Sequence, residues 1–260
     1  MNIVVCIKQV PDTTEVRIDP KTNTLIREGV PSIINPDDKA GLEAALRLKD
    51  EYNAHVTVLT MGIPNAEDAL REALAMGADE AILITDRAFG GADTLATSTT
   101  LAAAIKNLDY DLIITGRQAI DGDTAQVGPQ IAEHLGLVNI SYAEDIKIDG
   151  DKIIVKRQYE DRYHLLKTKL PCLITALAEL NKPRYMTPGG IFDAYREKRI
   201  KVWNLKDVDV SQECVGLKGS PTKVVKSFTK GAKSAGKVFS LEPQESAELI
   251  VEKMKEKFII

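Results

Sequence analysis

The sequence predicts an α/β fold: a mostly parallel sheet flanked by helices, then an extended C-terminal arm and a terminal helix. Three observations carry this. Short apolar runs alternate with helical patterns up to about residue 139. Turn and cap residues punctuate them where helices should start and stop. Beyond that point come a hairpin signal and then a stretch rich in Pro, Gly and Lys.

Ile3–Ile7 reads as a buried strand, and Pro11, Asp12 and Asp19–Pro20 as turn residues. Asn35-Pro36-Asp37-Asp38 opens a helix, with Pro36 suited to its first turn and acids near its start. Leu42, Ala45 and Leu46 share one face of it. His55–Thr60 is a strand, and Met61 to Pro64 a turn. A helix then runs from Asn65 to Met76, where Gly77 ends it. Ala81–Thr85 is the next strand, and Asp93 or Thr94 caps a helix to about Asn107. Leu112–Thr115 is a strand met at once by Gly116, and Asp123 or Thr124 caps a helix ending near Gly136. This repetition argues for right-handed crossovers, and ligands of such sheets bind at the carboxyl ends of the strands.

Ile146–Ile148 and Ile153–Val155 flank Asp149-Gly150-Asp151, a hairpin signal. Tyr163–Lys169 and Cys172–Ala176 are further strands. After Pro183 the pattern loosens, with Pro188-Gly189-Gly190, a charged stretch from Arg196 to Lys201, and Gly216–Pro221. Glu245–Phe258 reads as an amphipathic helix. The expected division is therefore a domain over 1–183 and an arm over 184–260.

Composition excludes several classes. The chain has 260 residues, is 44% apolar and carries a net charge of −4. It is neither disordered nor fibrous, and the charge speaks against a non-specific nucleic-acid binder. No apolar run reaches the length of a membrane span. The run before Lys8 is too short for the apolar part of a secretory signal. Cys6, Cys172 and Cys214 are far apart and form no Cys-x-x-Cys, and His55, His134 and His164 are scattered. Neither a zinc site nor a disulfide framework is expected, and a reducing cytoplasm fits. The charge is uneven: residues 1–150 hold 12 Lys/Arg against 24 Asp/Glu, and residues 151–260 hold 22 against 14.

Two nucleotide motifs fail. Gly231 to Val238 imitates a phosphate loop, but Val238 stands where Ser or Thr should hold Mg²⁺, and no strong strand precedes it. A flexible basic connector is the better reading. No Gly-x-Gly-x-x-Gly occurs.

The candidate site is Gly116-Arg117-Gln118-Ala119-Ile120-Asp121-Gly122-Asp123-Thr124-Ala125-Gln126-Val127, followed by Gly128-Pro129. It joins a buried strand to a helix. Backbone N–H groups at a helix start attract anions. Gly122 permits close approach, Arg117 adds a cation, and Thr124 and Gln126 offer hydrogen bonds. An ordinary capped helix would also suit Asp121 and Asp123. Asn35–Asp38 and Thr60–Gly62 sit at comparable positions, and three such loops at one sheet edge favour a nucleotide cleft.

These residues resemble the beta subunit of an electron transfer flavoprotein. The likeness rests on Val5 to Asp12, Ile34-Asn35-Pro36, Ala73 to Asp79, Gly116 to Gly128, and Leu180 to Tyr185, in that order. It implies a Rossmann-like sheet that binds an adenine nucleotide without the glycine fingerprint. By position, nucleotide contacts would fall at Cys6, at Asn35, Pro36, Asp37 and Asp38, at Met61, and along Gly116 to Val127. Thr94 and Asp93 would help shape the pocket, unless they serve only the helix cap.

The resemblance further implies an alpha-subunit partner holding a redox-active FAD. Conventional members keep AMP in the beta subunit. Bifurcating members keep a second FAD there, reduced by NADH. One electron then goes to ferredoxin or flavodoxin, and the other passes through the alpha subunit to an acyl- or enoyl-CoA-type dehydrogenase. The stretch Asp121-Gly122-Asp123-Thr124-Ala125-Gln126-Val127 resembles the bifurcating pattern, and Gly122 in place of an acid suits a diphosphate. The loop of about Arg184–Arg196 would dock the dehydrogenase. It has Pro188 where conventional members present Leu, leaving Ile191 and Phe192 as anchors that could equally pack on the core. The basic half would wrap the alpha subunit and meet an acidic redox partner, with salt-sensitive association. Two rival readings stand beside this one: a conventional beta subunit with structural AMP, and a stand-alone nucleotide hydrolase of similar architecture.

Overall fold

The computed structural model describes residues 1–12, 31–197, 200–222, 225 and 236–260. The Asp19–Pro20 turn, residues 198–199 of the charged stretch and the Gly231–Ala235 part of the phosphate-loop lookalike lie outside them. The chain forms two compact units, Met1–Val225 and Lys226–Ile260.

The first unit begins with β1 (Asn2–Cys6), β2 (Gln9–Pro11) and β3 (Ser32–Ile34). Next come α1 (Pro36–Tyr52), β4 (His55–Met61), α2 (Glu67–Met76), β5 (Glu80–Ile84), α3 (Thr94–Ile105), β6 (Leu112–Gly116) and α4 (Val127–Leu135). The antiparallel part is β7 (Val138–Asp149), β8 (Lys152–Gln158) and β9 (Tyr163–Lys169); β10 (Cys172–Ala176), α5 (Pro188–Arg196) and β11 (Ile200–Trp203) close the unit. The main sheet runs β11-β5-β4-β1-β6-β10-β7-β8-β9. Its pairs from β11 to β7 are parallel, and β8 and β9 extend it antiparallel.

Alternation along the strands assigns the two faces. Ile3 and Val5 of β1, with Leu112 and Ile114 of β6, pack with Leu42 and Leu46 of α1 and Leu70 and Leu74 of α2. Val4 and Cys6, with Ile113, pack with Leu101 and Ile105 of α3 and Ile131 of α4. Both faces are covered, as a parallel sheet requires. The chain steps from β1 to β4 and β5 on one side, then returns to β6 on the other. The crevice between the carboxyl ends of β1 and β6 is thus a topological switch point, where open α/β sheets bind ligands.

Expected caps divide into two outcomes. Asp93 caps α3, accepting from the Ala96 N–H at 3.1 Å, and Gly77 ends α2 with φ +129°. Asp123 and Thr124 do not cap α4, which starts only at Val127 with Gln126 before it. Asp123 and Ala125 take φ of +51° and +53°, so the helix cannot begin there. The hairpin pairs Ile148 with Ile153 and Ile146 with Val155, as its alternation predicts.

The boundary expected near residue 183 falls inside the first unit. Ala194 of α5 is fully buried beside α2, β11 joins the main sheet next to β5, and Val208 and Val215 complete the core on the α3 face. Isolated apolar residues in a Gly- and Lys-rich stretch carry no period, so sequence pattern hides their burial. In the second unit α6 (Pro243–Glu256) is helical, and none of its residues is buried.

Candidate functional site

A cavity of about 640 Å³ opens at the β1/β6 switch point. Its floor is the strand ends: Cys6 at the end of β1 with Lys8 beyond it, Met61 at the end of β4, and Thr115 and Gly116 of β6. The loop from Arg117 to Gln126 forms one wall, and the start of α3, with Thr94 and Thr97, forms the other. Thr94 Oγ1 and Gln126 Oε1 meet at 3.0 Å and join the two walls.

The loop's backbone makes the site chemically distinctive. Gln126 places its side-chain oxygen on Thr94, and Asp123 accepts from Gln118 Nε2 at 2.9 Å. No side chain therefore caps α4. Among the described residues, no protein group accepts from the N–H groups of Thr124 to Gly128. Left-handed residues alternating with ordinary ones is how successive N–H groups form an anion-binding concavity. The positive end of the α4 dipole adds to it.

Two glycines differ in what they permit. A Cβ on Gly128 would lie 2.5 Å from Thr115 Oγ1 and 2.9 Å from Thr175 Cγ2, so only glycine lets α4 start this close to the sheet. A Cβ on Gly122 would meet nothing within 4 Å, and its backbone is not left-handed. Gly122 therefore leaves open room in the cavity wall and answers no demand of the fold.

Of the predicted site residues, Cys6, Asp38, Met61, Thr94, Gly116, Arg117, Gln118, Ala119, Gly122, Asp123, Thr124, Ala125, Gln126 and Val127 line the cavity. Asn35, Pro36, Asp37, Ile120 and Asp121 do not. Asn35 Nδ2 donates to the Gln118 carbonyl at 2.8 Å, and its Oδ1 accepts from the Ile120 N–H at 3.0 Å. Asp121 pairs with Lys8 at 2.6 Å. Asp37 accepts from the Ala178 N–H at 3.0 Å and faces Arg117 Nε at 3.3 Å. The helix-start acids thus brace the loop and strand ends.

Asp38 does both jobs. It lines the cavity, and its carboxylate accepts from the N–H groups of Lys8 at 2.7 Å and Gly116 at 2.9 Å. Burial pushes its pKa up to about 7, against the lowering effect of the Lys8, Asn35 and Gly116 hydrogen bonds. Burial, with Asp38 beside it, pushes the Cys6 thiol up to about 12, so Cys6 is a neutral wall residue and no nucleophile. Burial also raises Asp37, partly offset by Arg117.

Sequence reasoning missed Lys8, Phe89, Gly91 and Thr222, which line the same cavity. Lys8 follows the first strand, and that position was the available signal. Thr222 arrives through long-range contacts: its N–H donates to Asp93 at 3.0 Å. A second hollow of about 340 Å³ lies beside the first and shares Lys8, Met61 and Phe89 with it. Among the described residues no helix is long and apolar enough to cross a membrane.

The family model described as "Electron transfer flavoprotein domain" matches residues 22–208. "Electron transfer flavoprotein subunit beta" of Clostridium acetobutylicum is 61% identical, with the whole of both chains covered. "Caffeyl-CoA reductase-Etf complex subunit CarD" of Acetobacterium woodii is 58% identical, again over the whole of both chains. "Acryloyl-CoA reductase electron transfer subunit gamma" of Anaerotignum propionicum is 48% identical over the same full coverage.

Proposed function

The chain belongs to the electron transfer flavoprotein family as a beta-subunit type, and from that premise we propose that its cavity binds FAD and takes electrons from NADH. The observation that carries this is the row of N–H groups from Thr124 to Gly128 that find no acceptor among the described residues, set beside Arg117 in a cavity of about 640 Å³. FAD bound there would supply hydride acceptance and one-electron transfer.

The chain's own residues do the rest. The loop N–H groups and Arg117 offset diphosphate charge. Cys6 and Met61 present a low-polarity wall, and the Thr94–Gln126 bridge joins the loop to α3. Open space at Gly122 supports a diphosphate over the monophosphate of AMP. The adjoining hollow, with Lys8 and Arg87 in its lining, supports the reading that a second anionic nucleotide such as NADH approaches here.

In this reading the subunit works in a heterodimer. An alpha subunit holds the second FAD and passes one electron to an acyl- or enoyl-CoA-type dehydrogenase; ferredoxin or flavodoxin takes the other. The names of the two reductase-complex relatives support such a partner. Exposed Ile191, Phe192 and Tyr195 on α5 suit its docking, and the 226–260 unit, with no buried residue on α6, suits wrapping the alpha subunit. Three free thiols fit a reducing cytoplasm.

The test is anaerobic mixing of purified heterodimer with NADH. Rapid bleaching of flavin absorbance is expected. A heterodimer carrying full flavin that NADH leaves oxidised would contradict the NADH step.

A further inference from the structure

We propose that Tyr142 is a positioning residue for Arg117, holding its guanidinium at the cavity for the anionic group of a bound nucleotide; this rests on the nucleotide reading above. Tyr142 is not part of the cavity wall. Its influence runs through Arg117, whose Cζ lies 6.0 Å from the centre of the tyrosine ring.

Tyr142 stands in an unusual place. Its φ is +61°, inside a strand, and a bulky aromatic there is an outlier. The register of β7 slips against β10 across Tyr142, since Ile140 pairs with Ile174 and Ala143 with Ala176, and it slips against β8 just after it, between Ala143 and Asp145. Such a bulge re-aims a side chain. The bulge is pinned, because the Tyr142 N–H donates to Thr175 Oγ1 at 3.1 Å and Thr175 is buried. The same threonine sits against Gly128 at the uncapped start of α4. Asn or Gly would take this backbone with less strain. An aromatic ring held there at that cost points to a use for the ring.

Arg117 needs such a partner. Its Nε is buried and makes no hydrogen bond, although Asp37 Oδ2 is 3.3 Å away and equally lacks one. The Asp37 contact is therefore Coulombic: it anchors the Nε side without the directionality of a hydrogen bond. The ring beside it supplies a direction, since cations favour the aromatic face. The Arg117 side chain is one-third exposed, at 32%, so a guanidinium without this restraint could swing toward solvent.

The experiment uses the heterodimer with its nucleotide exchanged for ADP as probe, and two readouts. One is ADP affinity; the other is solvent exchange of the Arg117 Nε–H by NMR. Tyr142→Asn suits the local backbone and so should fold, and Tyr142→Phe keeps the ring. Tyr142→Asn should weaken ADP about two- to five-fold and speed Nε–H exchange, while Tyr142→Phe matches the wild type. In an Arg117→Gln background Tyr142→Asn should do nothing further to ADP affinity. Unchanged Nε–H exchange in Tyr142→Asn overturns the positioning role alone. An equal loss of ADP affinity with and without Arg117 also overturns it. ADP affinity untouched by Arg117→Gln overturns the nucleotide reading itself.

Discussion

Asn35 Oδ1 accepts a hydrogen bond from the backbone N–H of Ile120 at 3.0 Å, 85 positions along the chain. The same amide gives its Nδ2 to the Gln118 carbonyl. One side chain at the start of α1 thus fixes the loop that forms the cavity wall. Asn35→Ala removes both bonds and leaves two loop groups to find water. A loss of about 1–3 kcal/mol is expected. Amide exchange at Ile120 should accelerate, and bound nucleotide should leave the heterodimer faster.

The two loop glycines should respond in opposite ways. Gly128→Ala drives a methyl into Thr115 and Thr175, both buried, and should cost about 1–3 kcal/mol in denaturant unfolding. Gly122→Ala meets no neighbour and should leave unfolding unchanged. Gly122→Glu should also fold, yet lose dinucleotide, because it adds bulk and negative charge beside the phosphate site. Unfolding curves and released-nucleotide assays on the three variants separate the effects.

Asp38 gives a pH signature. Its folded pKa, about 7, lies above the ordinary carboxylate value, so the folded state holds its proton over a range where the unfolded chain has lost it. Stability from this group is therefore greatest below the ordinary value. It declines as pH rises from about 4 to about 7, and then levels off. Cys6 and Asp37 stand beside it with raised values of their own, and Lys8 contributes a backbone N–H. In Asp38→Asn the midpoint of heterodimer unfolding should lose this part of its fall between those pH values.

Docking of a dehydrogenase should depend on α5. Phe192 is 58% exposed, so Phe192→Ala removes a surface anchor and little core. Electron transfer to the partner should slow several-fold while flavin content stays normal. Transfer kinetics equal to wild type would count against α5 as the docking element.

The sheet was legible because buried parallel strands and amphipathic helices print their periods directly in sequence. Ile3–Ile7 and Leu112–Thr115 are such runs, and they place the switch point. The candidate loop was legible as well, since Gly116 to Val127 joins strand to helix. What sequence hid was the division of labour within it. Asn35, Asp37 and Asp121 have the types of ligand-binding residues, yet their partners lie in the chain, 83 or more positions away. Nor does any pattern announce that Asp123 and Ala125 take left-handed torsions, which move the start of α4 to Val127 and leave its N–H groups open. The bulge at Tyr142 is set by register across two neighbouring strands, which no local window contains.

The cofactor in this cavity decides the account. Denaturing the purified heterodimer and quantifying what it releases tests it most directly. Two FAD per heterodimer and no AMP are expected; one FAD with one AMP would contradict a flavin in this cavity.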